Sequence, residues 1–220
     1  QIPVLKAAVE DLAWLISKDY PENAALKLVG DRYKLKTRQR TAVLRSTCTF
    51  MAAEVRCQKA LGKEALEGKH LDIDAFNIII TVESALSGSF IFEGMDSCFR
   101  DMASIHGTYK KVMETEKALA TIGLALKQLN VGPVHWLLDK PVSNSGRMKT
   151  LLYSLAEKLN FNWTAELYFN PDNELMRSDG VVISSDSLIL DQCKAWFNFA
   201  AYLFEEIPDF RHTRIIRLNN

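Results

Sequence analysis

What this chain lacks narrows its class before any motif is read. No apolar run approaches the roughly 18 residues needed to span a bilayer, so a membrane partner is not expected. The first stretch, Gln1 to Tyr20, is broken by Lys6, Glu10, Asp11, Lys18 and Asp19, which is wrong for a signal peptide. Cys48, Cys57, Cys98 and Cys193 are scattered and form no C-x-x-C pair. That argues against a cysteine zinc site or a disulfide framework, and it fits a reducing cytoplasm. There is no internal repeat and no low-complexity tract. No lysine follows a glycine at P-loop spacing, and nothing places a nucleophile beside a base as a Ser-His-Asp or Cys-His triad requires.

Net charge is also absent, but the balance hides an asymmetry. Residues 1–66 carry 12 Lys and Arg against 7 Asp and Glu, while the remainder carries 15 against 20. A basic segment is thus joined to an acidic one, which fits an electrostatic attachment site beside a metal-binding site. The apolar fraction of 48% is ample for a packed core, and 220 residues suit one large domain or two small ones. The pattern divides them into a helical N-terminal domain, 1–66, and an α/β domain, 67–220.

In the first part Val4, Ala8, Leu12, Leu15 and Ile16 recur at helical spacing. Pro21 opens a second helix, which Gly30 is expected to end. A third, longer helix fits Thr37 to about Leu61, with Val43, Leu44, Thr47, Phe50, Met51 and Val55 on its buried side. Gly62 and Gly68 bracket a linker. After Lys69 short apolar runs alternate with amphipathic helices. HLDID, VHWLLD, NWTAELYF and GVVISS read as strands, and RIIRL as an edge strand. FNIIITVESAL reads as a helix or a continued strand. Glu114–Leu129, SGRMKTLLYSLAEKL, DNELMR and DSLILDQ read as helices. Such alternation predicts a mostly parallel sheet covered on both faces, a three-layer α/β/α fold behind a small all-α segment.

In such a sheet ligands bind beyond the carboxyl ends of the strands. Four ends each deliver an aspartate there: Asp74 after HLDID, Asp139 after VHWLLD, Asp172 after ELYFNPD and Asp186 after VVISSD. Carboxylates are hard oxygen ligands suited to Mg²⁺ or Mn²⁺. Without a cation they repel one another and raise one another's pKa values. Plainer roles exist for three of them. Asp172 and Asp186 precede helices, where aspartate is a favoured N-cap, and Asp139 before Lys140-Pro141 suits a turn. Asp72 alternates with Asp74 on the same strand face but lies deeper, where it would pair with a basic group.

Three further segments carry possible chemistry. In PVSNSG, Ser143, Asn144 and Ser145 could hold a phosphate at a helix N-terminus, or simply cap that helix. In FRDMASIHGTY, Arg100 could contact a phosphate and His106 could act as an acid or base, unless the stretch is only a structural turn. Arg32, Lys34, Lys36, Arg38, Arg40 and Arg45, with Tyr33 among them, form the densest basic run. Such residues neutralise phosphates and stack on bases, but a solvated helix start looks the same.

DIDAFNIIITVESALSG, WLLDKPVSNSG, FNPDNEL and VVISSDSLIL resemble the PIN-like (NYN-like) superfamily, whose members are mostly metal-dependent ribonucleases. More narrowly they are similar to an uncharacterised archaeal and bacterial family that joins a short helical N-terminal domain to a PIN-like domain. KLVGDRYKLKTRQR is similar to the N-terminal part of that family. The resemblance implies a PIN-like, Rossmann-like fold in which Asp74, Asp139, Asp172 and Asp186 are the catalytic, metal-binding carboxylates. It makes Asn77 the asparagine that several PIN-like branches place just after the first aspartate. The glutamate that PIN nucleases carry on an intervening helix would be Glu83, which comes early, so Asp139 has the better claim by position. The activity implied is Mg²⁺- or Mn²⁺-dependent hydrolysis of RNA, with DNA as the alternative substrate. In it Asn77, Ser143, Asn144, Ser145, Arg100 and His106 would contact phosphate or substrate. A catalytically inactive module holding a nucleotide, RNA or protein partner is the alternative reading, and a phosphatase a third.

Overall fold

A computed structural model describes residues 1–102 and 113–218. The N-terminal segment begins with α1 (Ile2–Ile16), which buries Leu5, Ala8, Val9, Leu12 and Leu15 along one stripe. Helix α2 (Glu22–Arg32) starts after Pro21 as expected but runs through Gly30 instead of ending there. The bare face of Gly30 is covered by the Arg40 guanidinium, which donates to the Leu35 carbonyl and pairs with Asp31 at 2.6 Å.

The long third helix is two helices, α3 (Thr37–Ser46) and α4 (Phe50–Lys59). Thr49 breaks it. Its backbone is extended and its hydroxyl caps α4 by accepting from the Ala52 amide. The break re-aims everything beyond it. Val43 is buried as expected, but Phe50, Met51 and Val55 face solvent, and the buried residue of α4 is Arg56.

The remaining elements are β1 (Leu71–Asp74), α5 (Ala75–Leu86), β2 (Phe90–Glu93), β3 (Phe99–Arg100), α6 (Thr115–Gln128), β4 (Val134–Asp139), α7 (Ser145–Leu159), β5 (Trp163–Tyr168), α8 (Pro171–Arg177), β6 (Val181–Ile183), α9 (Ser187–Gln192), α10 (Phe199–Glu206) and β7 (Arg214–Arg217). FNIIITVESAL is therefore helical. Four strands form one parallel sheet in the order β5-β4-β1-β6.

Because side chains alternate along a strand, the sheet buries two different cores. Ile73, Trp136, Leu138, Ala165 and Ile183 face α5, α6, α7 and α10, against Phe76, Ile79, Leu119, Ile122, Leu152 and Leu203. On the other face Leu137 and Val182 meet Leu175 of α8, Ile189 and Leu190 of α9, and Trp196. The result is a three-layer α/β/α arrangement with a small helical segment ahead of it.

A second sheet, β3-β2-β7, was not foreseen apart from β7, whose strand character was. It mediates between the two parts of the chain. In β2, Ile91 enters the main core, while its neighbour Phe92 turns the opposite way into the core of the N-terminal helices with Leu12 and Val43. Helix α4 is tied to the α/β part by polar bonds. Arg56 pairs with Asp96 at 2.6 Å and with Asp191 at 2.7 Å, and its carbonyl accepts from the Trp196 indole. The Lys59 ammonium donates to the carbonyls of Leu190, Asp191 and Cys193, so a cation sits at the negative end of α9. All four cysteines are free thiols. Among the described residues no helix is long and apolar enough to cross a membrane.

Candidate functional site

From β1 the chain moves to one side of the sheet for β4 and β5 and then returns to the other side for β6. The strand order therefore reverses between β1 and β6, and the region beyond their carboxyl ends is where open α/β sheets bind ligands. Asp74 is the last residue of β1, and Ser184, Ser185 and Asp186 follow β6. Asp139 is the last residue of β4, and Asp172 lies in the first turn of α8, after β5.

The four aspartates share one electrostatic environment. Asp74 is buried, and burial pushes its carboxyl up to about 7. That value includes the Ser184 hydroxyl, which donates at 2.7 Å and lowers it, and the charges of Asp172, Asp186 and Asp139, which raise it. The Asp172 carboxyl is raised by partial burial and then by Asp186 and Asp139, and that of Asp139 by partial burial. Asp74, Asp172 and Asp139 are thus held where ionisation is disfavoured, by burial first and, for Asp74 and Asp172, by neighbouring carboxylates as well.

The plainer roles are divided. Asp186 does cap α9, its Oδ1 accepting from the amides of Leu188 and Ile189 at 2.8 and 3.3 Å. Asp172 does not cap α8. Asn170 does, accepting from the Asn173 amide at 3.2 Å, which leaves the Asp172 carboxylate without a capping duty. Asp139 begins a turn whose Val142 amide donates to its carbonyl, a backbone role that does not engage its carboxylate. Glu83 is buried and accepts a hydrogen bond from the Thr115 hydroxyl.

Of the expected substrate contacts, two belong to the frame. Asn77 spends its side-chain oxygen on Ser185, accepting from both the amide and the hydroxyl at 3.0 Å. Arg100, expected to meet phosphate, is buried instead. Its two terminal nitrogens grip Asp96 at 2.9 and 2.6 Å and its Nε donates to the Ser185 carbonyl at 2.9 Å. A guanidinium so committed has no fork left for phosphate. Together Asn77 and Arg100 hold the Ser184–Asp186 turn from both sides. Ser184 locks it further, since its hydroxyl donates to Asp74 and accepts from the Asp186 amide. His106 lies outside the described residues.

Ser143 and Asn144 are exposed and Ser145 is buried at the start of α7, with Asn144 in a left-handed conformation (φ 68°). The turn follows Asp139 directly and so lies at the same edge of the sheet. Beside it the Lys140 ammonium stands 4.3 Å from the centre of the exposed Phe169 ring. The basic run of the N-terminal segment is partly used internally. Arg32 and the Tyr33 hydroxyl engage Asp11, Arg40 engages Asp31, and Arg45 donates to the Asp101 carbonyl.

Ser184, Ser185 and Asp96 escaped the sequence reading. The serines were visible as the SSD that follows a strand, but which side chains they would hold depends on strand order. Asp72 was expected to pair with a basic group, and it does: His70 and His135 both lie against its Oδ1. Among the described residues, the set of three metal-capable donors that closes to within 4.8 Å is this one, not any three of the four edge carboxylates.

Residues 63–202, which include all four edge aspartates, match the family model described as Domain of unknown function (DUF5616), and residues 4–59 match that described as Protein of unknown function (DUF434). An uncharacterized protein of Methanocaldococcus jannaschii is 31% identical over 189 residues, spanning 84% of this chain and 88% of the relative. No solved structure matches the chain.

Proposed function

For this chain, which belongs to the family described as domain of unknown function DUF5616, we propose a PIN-like, Mg²⁺- or Mn²⁺-dependent ribonuclease acting at the carboxyl edge of the parallel sheet. The observation that carries the reading is Asp74. It is a buried carboxyl facing the charges of three other aspartates from three other strand ends. Evolution of a core normally removes such repulsion unless a ligand relieves it.

The donor set fits a hard divalent cation. Asp74, Asp139, Asp172 and Asp186 offer carboxylate oxygens only, and Asp139 and Asp172 remain partly open to solvent. Among the described residues no three of these carboxylates close to within 4.8 Å of one another, so the ion proposed here is one that keeps several of its own waters and touches few carboxylates directly, the usual habit of Mg²⁺. A bound cation would neutralise a phosphodiester oxygen and sharpen a water for in-line attack. The chain's own contributions are positional. Ser184 fixes the rotamer of Asp74, while Asn77 and Arg100 fix the turn that presents Asp186. Lys140 and Phe169 flank the edge with a cation for phosphate and a ring for a base, the combination that holds single-stranded nucleic acid without sequence preference. The first turn of α7, with Ser143 and Asn144 exposed, offers a second place for a phosphate.

The test is cleavage of an end-labelled single-stranded RNA with Mn²⁺ or Mg²⁺, comparing wild type with Asp172→Asn. Asp172 has no capping role, so the substitution removes charge without loosening a helix. Metal-dependent cleavage that drops by at least about 100-fold in the variant is expected. Retained cleavage in the variant would take Asp172 out of the site. Metal binding and RNA retention without any cleavage would leave a binding module instead of an enzyme.

A further inference from the structure

At the opposite end of the same sheet face, His70, Asp72 and His135 converge. We propose that these three side chains form a second metal site, selective for a borderline transition ion of the Zn²⁺ class and independent of the carboxylate edge. Strands β1 and β4 run parallel with Asp72 opposite His135, so both side chains leave the sheet on one face. His70 stands two residues before Asp72, on that face too. Two of the chain's four histidines are thus brought to one carboxylate.

The distances fit a coordination shell. His70 Nε2 and His135 Nδ1 lie 3.1 and 3.2 Å from Asp72 Oδ1, and the three donor atoms all lie within 4.8 Å of one another. Zinc bonds to nitrogen and oxygen of about 2.0–2.2 Å set neighbouring donors roughly 3.0–3.6 Å apart. Both imidazole nitrogens already stand at such a distance from the carboxylate, and the two are within 4.8 Å of each other, so a small closing movement completes the three corners. Imidazole nitrogen is the ligand that separates this site chemically from the all-carboxylate edge, because it favours Zn²⁺ and its neighbours over Mg²⁺.

An outer layer supports two of the ligands, Asp72 and His135. The Ser178 hydroxyl donates to Asp72 Oδ2 and accepts from the Gly180 amide, which fixes the carboxylate. Beyond His135, its far nitrogen Nε2 faces the Tyr168 hydroxyl at 3.5 Å, which in turn donates to Glu166 at 2.9 Å. Metal-bound histidines characteristically have such a partner at the second nitrogen, where it sets the tautomer. Gly180 makes the room. A Cβ there would stand 2.8 Å from the His70 ring and 3.0 Å from Asp72 Oδ2. The side chain of His70 is 46% exposed against 19% for His135 and 12% for Asp72. The site thus has a solvent-facing side through which an ion can enter, and a fourth position that water can fill.

The rival account is a histidine–aspartate hydrogen-bonded cluster with no ion, and the experiment separates the two. The full chain is prepared with Cys57→Ser, because that exposed thiol would bind the same metals. Co²⁺ is titrated at neutral pH, its visible d–d absorption is followed, and Zn²⁺ is used to displace it. With millimolar Mg²⁺ present to occupy the carboxylate edge, one Co²⁺ per chain at micromolar affinity is expected. His70→Gln and His135→Gln should each weaken binding by more than about tenfold. His70 is exposed enough that its variant should fold even if the His135 variant does not, and circular dichroism checks this. No saturable Co²⁺ or Zn²⁺ binding, or equal binding in the folded His70→Gln chain, would overturn the proposal.

Discussion

At the scale of single residues, two buried acids carry opposite burdens. Asp74 has a carboxyl pushed up to about 7 in the fold from an ordinary 3.8. Between those values the folded metal-free chain holds a proton that the unfolded chain has released. Its stability therefore falls as pH rises from about 4 to about 7, and the loss is complete above that. Asp74→Asn should make the metal-free protein more stable than wild type at pH 8, by an amount on the order of a few kcal/mol. Near pH 4 the difference should vanish, and urea titrations at the two pH values measure both. Asp96 is the reverse case. Burial works against its charge, but Arg100 and Arg56, bonded to both of its oxygens, hold its carboxyl far below the usual range. Asp96→Ala would leave two buried guanidinium groups facing a vacancy, so a loss of about 3–5 kcal/mol is expected by chemical denaturation. Residue by residue, the sequence showed which aspartates end strands, because apolar runs mark their own ends. It did not show that Asp96 exists as an anchor or that Arg100 is spent on it. Both depend on contacts between segments far apart in the chain, which no local period encodes.

At the scale of elements, helices and core strands were legible because each carries a clean period of burial. The parallel strands, with α6, α7 and α9, fall within a few residues of their expected bounds. The failures have particular causes. The segment Thr37–Leu61 carries helical spacing on both sides, and the Thr47–Thr49 stretch, extended at Thr47 and capping α4 at Thr49, splits it. Strand β2 pairs with β7 from the far end of the chain, a contact that no local pattern encodes. Gly123 shows how an element depends on a residue it lacks. A Cβ there would stand 2.2 Å from the Phe161 ring, which packs against α6 where a side chain is missing. Gly123→Ala should therefore cost about 1–3 kcal/mol by overpacking, despite alanine's better helix propensity. A thermal melt that shows stabilisation would contradict this packing. The turn after β6 is the element that matters for the site. Asn77→Ala removes the acceptor for both the amide and the hydroxyl of Ser185, so Mn²⁺ affinity should fall about tenfold.

For the whole molecule, the charge asymmetry seen in the sequence takes a different meaning in the fold. Much of the basic surplus of residues 1–66 is bound internally, and Arg56 and Lys59 are fastened to the α/β part. Phe92 and Ile91 join the two cores through one strand. The chain should therefore unfold in one cooperative transition by calorimetry, and two separated transitions would show the helical segment to be an independent unit. Above this architecture stands the claim that four aspartates, delivered by four strand ends, hold a divalent cation. Mn²⁺ titration calorimetry of wild type against Asp74→Asn and Asp186→Asn tests it most directly, because asparagine keeps the size of Asp74 and can still cap α9 at position 186. Saturable binding by wild type that both variants lose is the predicted result. No heat of binding in wild type at millimolar Mn²⁺, even with oligonucleotide present, would contradict the account and leave the carboxylate edge a structural feature.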